Sequence, residues 1–249
     1  VWAAGNTDAP TSSPADSPFA GAHATLPRAF SDIEPYWLSV VNVDRDLVLS
    51  NRSNKCGFSM NWCLAAPGSD IQSTVYGGDE RTQGEVRTYP DGSISLEVRT
   101  RLPAFEYAEY SGTSMAAPHV TGSLALLIER FPYLDNAQVR DVLLTTTTDL
   151  GAPGVDDVYG WGLVNLEKAI DGPGQIRVDT NVVMNQRAGG IKVWGGEAWD
   201  DWRNDIGGSG RLTKSGVGWL RLRGKNSFGG LGVRPGGRER GGVPNAGRS

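Results

Sequence analysis

The chain has 249 residues, of which 39% are hydrophobic and 21% charged, and it carries a formal net charge of -4. This length is sufficient to bury a substantial core and predicts one domain or one and a half. The mild negative charge gives no broad basic surface, which argues against nucleic acid as a partner. No apolar run has transmembrane length. Because the sequence starts at Val1 rather than Met, we expect a piece of a longer protein whose export signal, if any, lies upstream.

The N-terminal part of the chain predicts short buried strands. Residues 1–6 have the pattern of a strand that enters a turn. Residues 36–43 form a β-branched apolar run, which is typical of a strand buried on both faces. A further strand is predicted over residues 62–66 and is ended by Pro67 and Gly68.

Residues 77–105 predict an inserted β-arm. The stretch is polar and rich in turn-forming residues. Pro90, Asp91 and Gly92 give it a defined turn, because proline sets φ and glycine accepts a positive φ. The segments on both sides of this turn alternate between apolar and polar residues, as the strands of a solvent-exposed hairpin do.

Two helices are predicted after the arm, and a shorter one follows. From Ser114 onward, apolar and small residues recur every three or four positions and predict an inner face made of Ala117, Val120, Leu124, Leu127, Ile128 and Phe131. The second helix begins at Asp135, with Gln138 as its capping-box partner. The third is predicted over residues 163–170. Strands followed by helices favour an α/β layered domain over residues 1–171.

The pattern changes after Gly172. Short alternating strands are predicted over residues 191–194, 211–214 and 218–224, and glycine-rich turns separate them. That pattern is typical of the beginning of a β-solenoid or β-sandwich, so we assign residues 172–233 to a β-strand segment. Residues 234–249 are rich in glycine and arginine without apolar spacing, which predicts a disordered tail.

The chain has two cysteines, Cys56 and Cys63, which bracket a short loop. Such a pair favours a local disulfide in an exported protein. Two reduced thiols are the alternative, and a metal site is the least favoured interpretation, since neither histidine lies nearby. A bond here closes only a small loop, so we expect it to trim a surface feature rather than to hold the fold together. We predict no cofactor and no metal, because no acidic cluster has the ligand spacing of a calcium site.

Ser114 lies where a glycine-flanked turn enters a helix. Backbone N–H groups and the positive end of the helix stabilise negative charge at such a position. A serine hydroxyl, however, needs a neighbouring base to become a nucleophile. On the serine alone, a helix N-cap is the simpler explanation. The nucleophile elbow of α/β-hydrolases is a further alternative, although Ala116 replaces its final glycine.

The whole run Gly112-Thr113-Ser114-Met115-Ala116-Ala117-Pro118-His119 resembles the nucleophile signature of the subtilisin family of serine proteases. Residues 3–6, 65–68 and 159–165 resemble further segments of that family in the expected order. The resemblance covers residues 1–171. It implies the C-terminal half of a subtilisin-like parallel-sheet domain and serine endopeptidase activity on protein and peptide substrates.

The resemblance also implies the roles of two residues. Ser114 matches the nucleophile, and Asn6 matches the asparagine that donates to the oxyanion. Loss of one such donor typically costs about a hundred- to a thousandfold in turnover.

The resemblance leaves the catalytic base unassigned. In this family the catalytic aspartate and histidine precede the oxyanion asparagine, and neither is in this chain. His23 lies in a loop after Asn6, and His119 lies inside the serine motif, where family members have a structural histidine. The chain is therefore either truncated or a pseudoprotease, and its abrupt apolar start favours truncation. We expect an active parent endopeptidase and an inactive fragment.

Residues 208–230 resemble a strand repeat of autotransporter passengers, in which short strands stack into a solenoid. Together with the protease-like segment and the cysteine pair, this resembles an autotransporter serine protease of a Gram-negative bacterium. The resemblance implies a secreted or outer-membrane location, through a C-terminal β-barrel beyond this sequence, and processing of surface or secreted proteins. The alternative is a non-catalytic surface or adhesion module on a protease-like scaffold.

Overall fold

The computed structural model describes residues 1–76, 81–101, 105–185, 193–194 and 197–233. The chain forms two compact units, of which the smaller is Asp70–Ser111 and the larger comprises the residues on either side of it. No helix among the described residues is long and apolar enough to cross a membrane. The predicted disordered tail lies outside the described residues.

The larger unit contains a parallel three-stranded sheet. Strands β1 (Trp2–Ala3) and β3 (Cys63–Pro67) flank strand β2 (Ser39–Val43) and run parallel to it. Every residue of β2 is buried, as its β-branched run predicts, because both faces of a parallel sheet are covered. The parallel-sheet fold class and the burial of β2 and β3 are therefore confirmed, whereas β1 lies at the edge of the sheet with Trp2 41% exposed, so the prediction that this strand is buried is wrong.

The smaller unit, which we call the arm, is antiparallel. It contains four strands: β4 (Ile71–Tyr76), β5 (Arg81–Thr88), β6 (Ile94–Arg101) and β7 (Phe105–Tyr110). Strand β4 pairs with β7, and β5 pairs with β6 across the predicted turn. The arm extends beyond the predicted insertion at both ends, because β4 and β7 form a ladder of their own next to its base.

Three helices belong to the larger unit: α1 (Thr113–Arg130), α2 (Asn136–Thr145) and α3 (Leu166–Ala169). Helix α1 packs on β2 and β3. Val120 and Leu127 are fully buried on its inner face, as predicted, but Ile128 is 50% exposed. The prediction for Ile128 is therefore wrong, since this residue lies about 100° around the helix from Leu127 and so points away from the sheet.

The ends of α2 and α3 are capped by side chains. The predicted capping box of α2 is confirmed: the Asp135 carboxylate accepts from the Gln138 N–H at 2.8 Å, and the Gln138 side chain accepts from the Asp135 N–H at 3.0 Å. Helix α3 is shorter than predicted because Asn165 caps it, accepting from the Lys168 N–H at 3.0 Å.

Within the described residues after α3 there are six strands: β8 (Thr180–Val183), β9 (Val193–Trp194), β10 (Glu197–Trp202), β11 (Arg211–Ser215), β12 (Trp219–Leu222) and β13 (Gly230–Val233). Strand β11 lies between β8 and β13, and β10 lies between β9 and β12. Of these pairs only β9 with β10 is antiparallel. The strands predicted over residues 211–214 and 218–224 are confirmed, and residues 191–192 of the first prediction lie outside the described residues.

The hydrophobic core continues from the helices into these C-terminal strands. Leu127 of α1, Leu143 of α2, Val182 of β8, Trp202 of β10 and Leu212 of β11 belong to one cluster of buried side chains. The helices and the C-terminal strands therefore share apolar surface, and the core has no break where the α/β segment was predicted to end.

A buried ion pair joins α1 to β10 within this core. Arg130 donates to both oxygens of the Asp200 carboxylate, at 2.5 and 2.8 Å, and the Tyr133 hydroxyl donates to the same group at 2.5 Å. The Trp202 Nε1–H donates to the Tyr133 hydroxyl at 3.0 Å. Burial, and then the adjacent Asp200 carboxylate, raises the pKa of Tyr133 well above its usual range. The phenol therefore stays protonated and stabilises the carboxylate as a donor.

The disulfide between Cys56 and Cys63 is present, and both residues are fully buried. The prediction that it trims a surface feature is wrong, because both cysteines are buried and Cys63 is the first residue of strand β3, which packs in the core. A Cβ added to Gly160 would lie 3.0 Å from the Cys56 sulfur and 2.2 Å from the Cys63 carbonyl oxygen, so the Gly160 backbone packs directly on the bond. The disulfide belongs to the core that holds β3.

Replacing Asp200 with asparagine tests the buried ion pair. We expect Asp200→Asn to lower the free energy of unfolding by about 3 to 5 kcal/mol, because Arg130 would stay largely buried without its counter-charge. Urea denaturation followed by tryptophan fluorescence measures the change. The matched control is Asp46→Asn, at an exposed aspartate, which is expected to change the stability by less than about 0.5 kcal/mol. Equal urea midpoints for the two variants would contradict the prediction.

Replacing both cysteines with serine tests the contribution of the disulfide. We expect the double variant to lose about 2 to 4 kcal/mol of stability, because the unfolded chain is no longer restrained and two hydroxyl groups enter the core. Thermal unfolding with and without a reducing agent measures the loss. Reduction should lower the melting temperature of the wild-type chain and leave that of the double variant unchanged. A double variant as stable as the oxidised wild type would show that the bond contributes nothing.

Candidate active site

Ser114 is the second residue of α1, and its side chain is exposed. Within the described part of the chain, neither its backbone N–H nor its hydroxyl has a hydrogen-bond partner. The N–H groups of a first helical turn have no partner inside the helix, and the helix dipole gives this end a partial positive charge. Ser114 therefore combines an accessible hydroxyl with an accessible N–H donor at the positive end of an 18-residue helix.

Asn6, at the end of the first predicted strand, is hydrogen-bonded to Thr113, the residue before Ser114. Its side-chain oxygen accepts from the Thr113 N–H at 3.0 Å and from the Thr113 hydroxyl at 3.2 Å. The Thr113 hydroxyl in turn accepts from the Gly5 N–H at 3.2 Å. Because the amide oxygen is held in this way, the orientation of the amide is fixed, and the Asn6 NH₂ group has no acceptor among the described residues.

Two glycines allow the backbone segments of the site to meet. The Gly112 N–H donates to the Gly68 carbonyl at 2.8 Å, which ties the end of β3 to the turn before Ser114. A Cβ on Gly68 would lie 2.7 Å from both the Gly112 carbonyl oxygen and the side-chain oxygen of Asn42, too close for any side chain. A Cβ on Gly112 would lie 3.4 to 3.5 Å from the Asn6 carboxamide. The turn therefore needs glycine at residue 68 because of space, and it favours glycine at residue 112 because the φ of +154° there is a conformation that other residues rarely adopt.

Pro118 alters the first turns of α1. Its ring nitrogen carries no hydrogen, so the Ser114 carbonyl receives no N–H from four residues on. Thr121 and Ser123 donate their hydroxyls to carbonyl oxygens of the preceding helical turn, at 3.1 and 2.7 Å. Ser114 thus lies at an end of the helix whose backbone is less tied to the following turn.

The side chains of the two histidines interact with groups other than Ser114. The His119 ring nitrogen Nδ1 lies 2.9 Å from the Met115 carbonyl oxygen, one turn away on the same helix. The His23 ring stacks on Trp2, with ring centroids 5.3 Å apart. Among the described residues neither imidazole forms a hydrogen bond with Ser114, whereas Asn6 is bonded to Thr113, the residue before it.

Thr113 is the site residue for which the sequence analysis proposed no role. It is fully buried and bonds to Asn6 through both its N–H and its hydroxyl. The only signal in the sequence is its place directly before the serine, because its partners lie more than a hundred residues earlier in the chain. No group of three or more metal-binding side chains occurs among the described residues.

Comparison with known proteins shows what this chain is similar to. The model of the Subtilase family, Peptidase S8, matches residues 1–162. An extracellular serine protease of Serratia marcescens is 39% identical over 83% of this chain and 22% of its own length. Serotype-specific antigen 1 of Mannheimia haemolytica is 38% identical over 87% of this chain and 20% of its own length.

A further relative and a solved structure complete the comparison. The autotransporter lipoprotein NalP of Neisseria meningitidis is 32% identical over 74% of this chain and 14% of its own length. The crystal structure of fervidolysin from Fervidobacterium pennivorans is 30% identical over 61% of this chain and 22% of its own, with a TM-score of 0.42. The chain spans about a fifth of the length of the first curated relatives, at 22% and 20%. Because the family model covers well over half of its residues, the chain belongs to the subtilase family of serine peptidases.

Proposed function

We propose that this chain contributes the nucleophile and the oxyanion hole of a serine endopeptidase. The observation that carries the proposal is the Asn6 carboxamide, which Thr113 fixes by two hydrogen bonds next to the free N–H of Ser114. Two donors, the Asn6 NH₂ and the Ser114 N–H, are then available to one developing negative charge. Donors fixed before the reaction lower the barrier because they need no reorganisation when the charge forms.

The chemistry proceeds through an acyl-enzyme. The Ser114 hydroxyl oxygen attacks the carbonyl carbon of a peptide bond and passes its proton to a base, and the carbonyl oxygen becomes an oxyanion that Asn6 and the Ser114 N–H stabilise. The tetrahedral intermediate collapses, the peptide nitrogen takes the proton from the base and leaves, and the acyl group remains on Ser114. Water then attacks the ester by the same steps and regenerates the hydroxyl.

The base and the carboxylate that orients it belong to residues outside this chain. His119 is engaged with the Met115 carbonyl, and His23 is stacked on Trp2. The chain alone is therefore inactive in this proposal, and the protein that contains it together with an aspartate and a histidine is the peptidase.

The names of the relatives support a location for the parent protein and a class of substrate. Proteins called extracellular proteases and an autotransporter, all from Gram-negative bacteria, match most of this chain. We place the parent protein outside the cell or at the outer-membrane surface, acting on proteins or peptides. The parallel pairs of β8 with β11, β11 with β13 and β10 with β12 support a solenoid-like start of the segment that follows.

Removing the Asn6 donor tests the oxyanion hole. In a form of the protein that supplies the aspartate and histidine, Asn6→Ala should lower kcat about a hundred- to a thousandfold with little change in KM, because the donor acts on charge present only in the transition state. Thr113→Val should cause a smaller loss, since the N–H to Asn6 remains. Asn51→Ala, at an exposed asparagine, is the matched control. A rise in KM with an unchanged kcat, or an equal fall in kcat in the Asn51→Ala control, would refute this role.

Probing the isolated chain tests the need for an external base. With a fluorophosphonate probe and a casein substrate, we expect neither rapid labelling of Ser114 nor turnover, because no imidazole contacts the hydroxyl. Adding a polypeptide that carries the aspartate and histidine should produce labelling that Ser114→Ala abolishes. Rapid labelling of the isolated chain with turnover would show that the base lies within it. Absence of labelling in every form would favour the alternative of a non-catalytic surface module.

A further inference from the structure

The ladder of β4 and β7 presents one side on which every described side chain is exposed. In its register Gln72 pairs with Glu109 and Thr74 pairs with Tyr107, and Tyr76 occupies the next position on the same side. Cross-strand partners share a side of the ladder and alternate residues return to it, so these five residues form one surface, which we call the tyrosine face. Tyr107 is 74% exposed and Tyr76 is 54% exposed.

The charged side chains of strands β4 and β7 are all acidic. Glu109 lies on the tyrosine face, Glu106 lies on the other side of the ladder opposite Val75, and neither strand contains lysine or arginine. The arm as a whole has eight acidic and four basic residues, which equals the net charge of -4 of the entire chain. The rest of the molecule is thus formally neutral, and the negative charge is concentrated in the arm.

The chemistry of the tyrosine face selects a cationic polypeptide. Tyrosine rings attract lysine and arginine side chains through their faces, and a neighbouring carboxylate adds an ion pair. Tyrosine also provides a large, rigid contact area at low cost in side-chain entropy. Within the described residues β4 pairs only with β7, so the outer edges of the ladder offer backbone donors and acceptors to a further extended strand.

Covalent continuity links this surface to the nucleophile. Strand β7 ends at Tyr110, four residues before Ser114, and β4 begins three residues after Gly68. Four residues span at most about 14 Å of chain. A polypeptide bound to the arm is therefore held on the same chain as Ser114, and holding two binding elements on one chain raises the effective concentration of a ligand that engages both.

We propose that the tyrosine face is an exosite for extended, lysine- or arginine-rich segments of the polypeptide substrate. This inference rests on the proposed function, since it assigns the arm to the substrate of that peptidase. The exosite binds through Tyr76, Tyr107 and Glu109 and through the ladder edge, and it takes no part in the chemistry at Ser114. It favours basic, unfolded stretches of protein over short neutral peptides.

Binding measured without catalysis tests the exosite. The Ser114→Ala chain is titrated against a fluorescent arginine-rich peptide and an acidic peptide of equal length, and anisotropy gives each Kd. We expect the arginine-rich peptide to bind and the acidic one not to bind. Tyr76→Ser with Tyr107→Ser should weaken binding about tenfold or more, as removal of two aromatic anchors does. Glu109→Lys should also weaken it and should reduce its dependence on salt.

Matched controls separate the tyrosine face from general effects. Tyr36→Ser removes a tyrosine that is 67% exposed on the larger unit, and Glu129→Lys reverses an exposed charge at the end of α1. Both should leave the Kd unchanged, and all variants should retain the wild-type melting temperature. An unchanged Kd in the double tyrosine variant would overturn the proposal. So would a homodimer in analytical ultracentrifugation that this variant abolishes, because the face would then bind a second copy.

The result is independent of the nucleophile assignment. Labelling of Ser114 by a fluorophosphonate in the reconstituted protein tests the peptidase, whereas the titration uses a chain that lacks the hydroxyl. Peptide binding without labelling would therefore refute the proposed function alone. Labelling without peptide binding would refute the exosite alone.

Discussion

Helix α1 is held at both of its ends by groups that are remote in sequence, and the arrangement of the larger unit follows from these two attachments. At its start Thr113 bonds to Asn6 through its N–H and its hydroxyl. At its end Arg130 forms a bidentate pair with the buried carboxylate of Asp200. Between these points the helix packs on β2 and β3. The position of Ser114 at the start of α1, next to Thr113 and its bonds to Asn6, is therefore set by the same helix that anchors the C-terminal strands.

The two attachments differ in physical character. The contact at Asn6 consists of neutral hydrogen bonds near the surface, each contributing about 1 kcal/mol, so its value lies in orientation more than in stability. The pair at Asp200 is buried, and its carboxylate is satisfied by Arg130 and by the Tyr133 hydroxyl together. Removal of one partner there leaves an uncompensated charge. The attachment that contributes more to stability thus lies at the opposite end of the helix from Ser114.

Short-range sequence patterns predicted the structural features that depend on neighbouring residues. The β-branched run of β2, the capping box at Asp135 and the glycine-flanked start of α1 were recognisable because each depends on neighbours in sequence. The partners that are distant in sequence could not be recognised in this way. Nothing near Asp200 indicates a bond to Arg130, and burial of the Cys56–Cys63 disulfide depends on the Gly160 backbone that packs on it. Ile128 fits the helical repeat yet is exposed, because periodicity gives the spacing of a face and not its width.

Hydrogen bonds close the base of the arm. The Asp70 N–H donates to the Ser111 hydroxyl at 2.8 Å, and the Gly112 N–H donates to the Gly68 carbonyl at 2.8 Å. Because these hydrogen bonds hold the two ends of the arm together, the loss of chain entropy on closing the arm grows only slowly with its length. The turn before Ser114 would have the same bonds with a far shorter hairpin. The physical constraint on the arm is therefore its base, where the Gly112 N–H bonds to the Gly68 carbonyl, and not the sequence of its outer strands.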